Sequence, residues 1–227
     1  MNIAQRYNAL FEDAREKITL DQYHLDSLIS SSSDQRRGVT LIARPSKTVV
    51  DQIQCFLKPL QALEPTQYYY PTSDIHITIL SIISCYEGFA LSQIQPSDYS
   101  NVIKEALKDQ TSFQLDFTGI TASPAGIMIQ GFWQDDSLSR IRNRLRTAFA
   151  TTALQQSLDE RYVLQTAHAT VMRFQSPLQR KEELLNYLLE HRTHVFGTTG
   201  VDTLELVSND WYMKEKQLQT LDRFSLQ

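Results

Sequence analysis

One order of strand and helix patterns occurs twice in this chain, and no other feature of the sequence restricts its fold as strongly. In each half a strand is followed by an amphipathic helix, a second strand, a second helix and a third strand. The first half opens with "GVTLIARP" (38–45) and the second with "GIMIQGFW" (126–133). The sequence therefore predicts a body made of two repeated units.

A histidine and a threonine lie two residues apart at the matching position of each unit. His76 and Thr78 belong to the second strand of the first unit, and His168 and Thr170 follow 92 residues later (168 − 76) in the second unit. Residues i and i+2 of a strand point to the same face. If both faces meet in a common groove, two imidazoles and two hydroxyls converge there.

These side chains suit the cleavage of a phosphodiester. An imidazole titrates near neutral pH, so one histidine can take a proton from water while the other protonates the leaving oxygen. The two threonine hydroxyls can donate to the non-bridging oxygens, and the scheme needs no metal ion. For either histidine alone, a partly buried structural residue is the ordinary interpretation. A third His-x-Thr, at His191, ends a helical pattern, and we interpret it as a helix-end histidine.

The two motifs resemble those of the 2H phosphoesterases, which include the bacterial enzymes named 2′-5′ RNA ligases and cyclic nucleotide phosphodiesterases. "HITI" (76–79) and "HATVMR" (168–173) carry the likeness, which covers about residues 36 to 215. It implies an α+β fold: two pseudo-symmetric lobes of antiparallel sheet, with helices on the outside and a central groove. It also implies metal-free opening of a 2′,3′-cyclic phosphate or 2′-5′ linkage on a nucleotide or RNA end.

The resemblance assigns roles to the motif residues. His76 and His168 would be the acid–base pair, and Thr78 and Thr170 would hold the phosphate. Arg173 follows the second motif, whereas the first has no arginine at the matching position. Strict alternation places Arg173 on the face opposite His168, so it binds phosphate only if the strand ends or twists there; otherwise it caps a strand end. Residues 1–35 are interpreted as an N-terminal helical extension of a bilobal domain spanning 36–227.

Aromatic residues near the motifs are candidates for substrate binding. Tyr70 ends the run "YYY" just before the first His strand, where an exposed ring could stack on a base. Trp211 and Tyr212 follow the last strand and could wall the groove. The alternative in both places is packing against the core.

Four arginines in "RIRNRLR" resemble a nucleic-acid patch, but helical spacing spreads them around the polar side of a helix. We therefore predict a solvated helix face for Arg140, Arg142, Arg144 and Arg146.

Composition narrows the class of substrate and the cellular location. Lys and Arg number 22 against 26 Asp and Glu, a formal charge of −4, which disfavours an extended duplex and favours a nucleotide or a short RNA end. We expect a cytoplasmic protein, because we find no apolar run of membrane length and no signal-peptide pattern. We also expect a monomer that does not bind membranes. Neither a cofactor nor a metal is expected, since Cys55 and Cys85 lack metal-type spacing.

A non-catalytic binder of a phosphorylated nucleotide or RNA end remains the alternative function.

Overall fold

The computed structural model describes residues 2–161 and 163–227. Within them, five α-helices are formed: α1 (Ile3–Thr19), α2 (Lys47–Leu63), α3 (Pro96–Leu107), α4 (Ser137–Ala150) and α5 (Lys181–Glu190). The strands are β1 (Arg37–Ala43), β2 (Tyr68–Tyr69), β3 (Ile77–Tyr86), β4 (Phe113–Ser123), β5 (Gly126–Trp133), β6 (Ala169–Arg173), β7 (Val195–Val201), β8 (Thr203–Asp210) and β9 (Gln219–Ser225). The predicted α+β class is confirmed. Each half contains the predicted series of strand, helix, His strand, helix and strand, with one additional strand inside it, β2 in the first half and β7 in the second.

The strands form two antiparallel sheets, one in the order β3-β1-β8-β9 and the other in the order β2-β6-β5-β4-β7. The first His-x-Thr strand, β3, lies in the four-stranded sheet, and the second, β6, lies in the five-stranded sheet. β4, the last strand of the first half, pairs with β5 in the sheet that contains β6. β8, from the second half, pairs with β1 in the sheet that contains β3. Each sheet therefore contains strands from both halves of the chain, which ties the two lobes together.

Helix α1 packs on the five-stranded sheet close to the second motif. Its buried stripe has helical spacing and consists of Tyr7, Phe11, Ala14 and Ile18. The Tyr7 hydroxyl donates to the Gly131 carbonyl (3.0 Å) and accepts from the Ala167 N–H (3.1 Å). A Cβ on Gly131 would lie 2.0 Å from the Ala167 carbonyl oxygen, so this close approach requires glycine. The helix is thus anchored beside the residue that precedes His168.

Two further observations concern the helices. His191 directly follows α5 as its C-cap, which confirms the prediction of a helix-end histidine. In the described part of the chain, no helix has both the length and the apolar character that crossing a membrane requires.

Candidate active site

Both His-x-Thr pairs face one groove between the two sheets. Each histidine immediately precedes its strand, and His76, Thr78, His168 and Thr170 are all partly exposed while the residues between and after them are buried. All four line a cavity of about 280 Å³. In each motif the histidine and the threonine therefore lie on the same face, as the alternation in the sequence predicts.

Matching β-bulges redirect the side chains that follow each motif. In β6, Thr170 pairs with Met128 and Met172 pairs with Ile127, which leaves Val171 as an extra residue. One extra residue reverses the alternation, so Arg173 joins His168 and Thr170 along the groove. Of the two alternatives for Arg173, the structure favours the one in which its side chain reaches the groove.

β-Bulges in β3 likewise place serine side chains along the groove. Ile79 is an extra residue between the pairs of Thr78 and Leu80, and a second shift follows Ser81. Exposure in this strand consequently recurs every third residue, at Thr78, Ser81 and Ser84, and all three line the groove. Ser81 follows its histidine by five residues, as Arg173 does (76 + 5 and 168 + 5). Ser81 and Ser84 were not among the residues predicted for the site, although the three-residue spacing in "TILSIIS" indicates them.

A backbone carbonyl fixes the orientation of the His76 imidazole. Its Nδ1 lies 2.8 Å from the Asp74 carbonyl oxygen, which can only accept, so Nδ1 carries a proton. In the neutral ring Nε2 is then unprotonated and has a lone pair available for a proton.

His168 has a different partner. Its Nδ1 lies 2.8 Å from the Thr166 hydroxyl, which can donate or accept. The hydroxyl can therefore hold the neutral ring in the tautomer with Nε2–H, and it can also accept from Nδ1–H of the imidazolium. This partner is compatible with both protonation states of His168.

Burial lowers the pKa of both histidines to about 4. For His76 the loss of solvation dominates, with smaller contributions from the charges of Arg44 and Arg173, while the bond to the Asp74 carbonyl opposes the shift. For His168 the loss of solvation is followed by the charge of His76. The two rings thus interact electrostatically, and their proton uptake is coupled.

These shifts predict an acid-sensitive fold. The unfolded chain binds protons at these histidines near pH 6.5, whereas the folded chain does so only near pH 4, so the free energy of unfolding decreases as the pH falls through this window. After allowance for the partial exposure of both rings, we expect about 1–2 kcal/mol per histidine. Denaturant unfolding at pH 7.5 and pH 4.5 measures the loss.

A double variant, His76→Gln with His168→Gln, should lose distinctly less stability than the wild type between these pH values. His24→Gln, which changes an exposed histidine, is the matched control and should lose as much as the wild type. Equal losses in the double variant and the wild type would contradict the lowered pKa of these two rings.

Arg173 is held in place by a tyrosine and a carboxylate. Its Nε donates to the Tyr70 hydroxyl (2.9 Å), and Nη1 lies 3.5 Å from Asp26. Asp26 also accepts from the Tyr212 hydroxyl. The segment before β1 therefore supplies a residue that orients the Arg173 guanidinium.

The three aromatic residues predicted to bind substrate differ in burial and in position relative to the groove. Tyr70 is 2% exposed and Tyr212 is 1% exposed, so neither ring offers a face for stacking on a base. Tyr70 nevertheless lies in the lining of the groove. Both instead support Arg173, Tyr70 directly and Tyr212 through Asp26. Trp211 does line the groove, but the guanidinium groups of Arg36 and Arg161 lie 4.6 and 4.7 Å from its ring centroid.

The prediction of a solvated arginine face is wrong for Arg142, and Arg146 is only partly exposed, in an ion pair with Asp159. Arg140 and Arg144 are exposed, but Arg142 is only 3% exposed. Its Nε donates to the Ile79 carbonyl (2.8 Å), and Nη2 donates to the carbonyls of Thr78 (2.9 Å) and Thr166 (2.8 Å). From α4, this guanidinium connects the two segments that carry the histidines.

Comparisons with known proteins identify the same fold elsewhere. No protein-family model and no curated protein matches this sequence. TT0787 of Thermus thermophilus is 15% identical with a TM-score of 0.60, over 84% of this chain and 97% of that chain. E. coli LigT complexed with 3′-AMP is 14% identical with a TM-score of 0.57, over 84% and 98%. A structure described as a phosphoesterase is 12% identical with a TM-score of 0.51, also over 84% and 98%. At these identities the likeness concerns the fold.

Proposed function

We propose that this chain, which has the fold of the 2H phosphoesterases, is a metal-independent phosphodiesterase. It opens a 2′,3′-cyclic phosphate or cleaves a 2′-5′ linkage on a nucleotide or RNA end. The proposal rests on one observation: two imidazoles, two threonine hydroxyls and a guanidinium line the same groove. These are an acid, a base and a set of donors for a charged phosphoryl group.

The hydrogen bonds of the two rings favour different roles. Because Nδ1 of His76 is committed to the Asp74 carbonyl, its Nε2 takes the proton from the attacking water. The water oxygen bonds to phosphorus as the bond to the ribose oxygen breaks, and the His168 imidazolium gives that oxygen its proton. Thr78, Thr170 and Arg173 donate to the non-bridging oxygens, whose charge increases in the transition state.

The substrate supplies the charge that His168 needs. A phosphate anion in the groove favours the imidazolium and raises the pKa of a nearby histidine. The Thr166 hydroxyl then accepts from Nδ1–H of the charged ring. Binding of the anion thereby produces the acid beside the bond to be broken.

Hydrolysis of 2′,3′-cyclic nucleoside monophosphates and of a 2′-5′-linked dinucleotide, with and without EDTA, tests this function. We expect conversion to a nucleoside monophosphate at the same rate in both conditions. Turnover that EDTA abolishes would contradict the metal-free mechanism. Saturable binding of all these substrates without product would instead support the binding protein as the second candidate.

A further inference from the structure

A second pocket, of about 660 Å³, lies between α1 and the five-stranded sheet and adjoins the groove. Four residues line both cavities: Leu164, His168, Thr170 and Arg173. A group bound in this pocket would lie directly beside a phosphodiester held by Thr170 and Arg173. The volume is within the range of about 300–1,000 Å³ typical of small-molecule sites.

The walls of this pocket are largely apolar and partly exposed. Helix α1 contributes Ala9 and Leu10, and the opposite wall contains Met128 and Val163. Leu10 is 36% exposed and Val163 is 50% exposed, although both are large apolar side chains. Apolar side chains that are exposed together in a concave site are typical of a surface covered by a ligand.

Polar groups accompany the apolar walls. Arg6 of α1 and Gln165 on the opposite side also line the pocket, together with Ser123. Their N–H and O–H groups can bond to the edge of a heteroaromatic ring. A flat ligand with apolar faces and a hydrogen-bonding edge fits this combination better than an acyl chain, which has no polar edge.

We propose that this pocket binds the nucleobase of the substrate, so that α1 helps to determine which nucleotides are accepted. This inference rests on the function proposed above. It also supplies a base site that the aromatic candidates do not, since Tyr70 and Tyr212 are buried and two guanidinium groups lie over Trp211. The anchoring of α1 through Tyr7 keeps the pocket wall in register with His168.

Leu10→Glu tests the proposal by placing a charge in the apolar wall. The probes are adenosine 3′-monophosphate and inorganic phosphate, with dissociation constants measured by calorimetry. We expect the nucleotide to bind about tenfold more weakly or worse, while phosphate binding is unchanged. Leu20→Glu is the matched control, because Leu20 is the C-cap of α1, is 56% exposed and does not line the pocket. It should leave both constants unchanged.

The binding measurements test the base site independently of the proposed hydrolysis. If Leu10→Glu leaves nucleotide binding unchanged, or if Leu20→Glu weakens it equally, the base site is overturned whether or not the protein hydrolyses cyclic phosphates. If Leu10→Glu selectively weakens nucleotide binding and the wild type forms no product, the base site stands and the proposed reaction fails. An unchanged melting temperature confirms that the exposed substitution leaves the fold intact.

Discussion

His76→Gln and His168→Gln are each expected to lower kcat for opening a 2′,3′-cyclic nucleotide by about 10²- to 10⁴-fold. Each variant removes one of the two proton transfers, and the remaining ring cannot replace it from the opposite side of the groove. Steady-state kinetics at saturating substrate measure the loss. His191→Gln is the matched control: it also alters a His-x-Thr, but this one caps α5, with Nδ1 2.8 Å from the Tyr187 carbonyl.

A substrate with a better leaving group distinguishes base from acid. A nucleoside nitrophenyl phosphodiester releases a phenolate, which needs no proton from the protein. His168→Gln should therefore lose far less activity on this ester than on the cyclic nucleotide, whereas His76→Gln should lose as much on both. The reverse pattern would exchange the two roles, and full activity in both variants would show that this groove is not the site.

The face that each motif residue occupies could be predicted because strand alternation is local. His76, Thr78, His168 and Thr170 needed only their own spacing to be placed together on the groove side. The sheets that β4 and β8 join could not be predicted in this way, because the residue pattern of a strand does not show which other strand it pairs with.

Arg173 shows where local spacing fails. Its direction depends on the bulge at Val171, which exists only in the pairing with β5, so strict alternation placed it on the wrong face. For Tyr70 and Tyr212, the choice between stacking and packing stayed open for a related reason. A tyrosine ring suits both stacking and packing, and only the tertiary structure shows that these two rings are buried behind Arg173.

Arg142 could have been recognised from helical spacing alone. The buried positions of α4 include Leu138, Leu145 and Phe149, and Arg142 lies four residues after the first and three before the second. It therefore occupies the apolar stripe. The prediction of a solvated face failed here because it treated the four arginines of "RIRNRLR" as equivalent, although one of them faces the core.

Arg142→Met is expected to lower the free energy of unfolding by about 3 kcal/mol or more, because it removes a buried guanidinium that donates to three carbonyls, in two buried bonds and one partly buried bond. Arg142→Lys keeps the charge but lacks the planar fork, so it should lose less stability. Arg144→Met, an exposed position on the same helix, should stay within about 0.5 kcal/mol of the wild type. Urea unfolding at pH 7.5 measures all three.

The same variants test whether Arg142 positions the catalytic groups as well as stabilising the fold. Its guanidinium donates to the Thr78 carbonyl, in β3, and to the Thr166 carbonyl, in the segment before β6. Thr166 is also the hydrogen-bond partner of His168. If this bridge sets the distance between the two motifs, Arg142→Lys should lower kcat more than it raises KM at a temperature where it is fully folded. Unchanged kcat in a folded Arg142→Lys would limit the residue to stability, because misplaced proton donors and acceptors slow the chemical step even when the substrate binds normally.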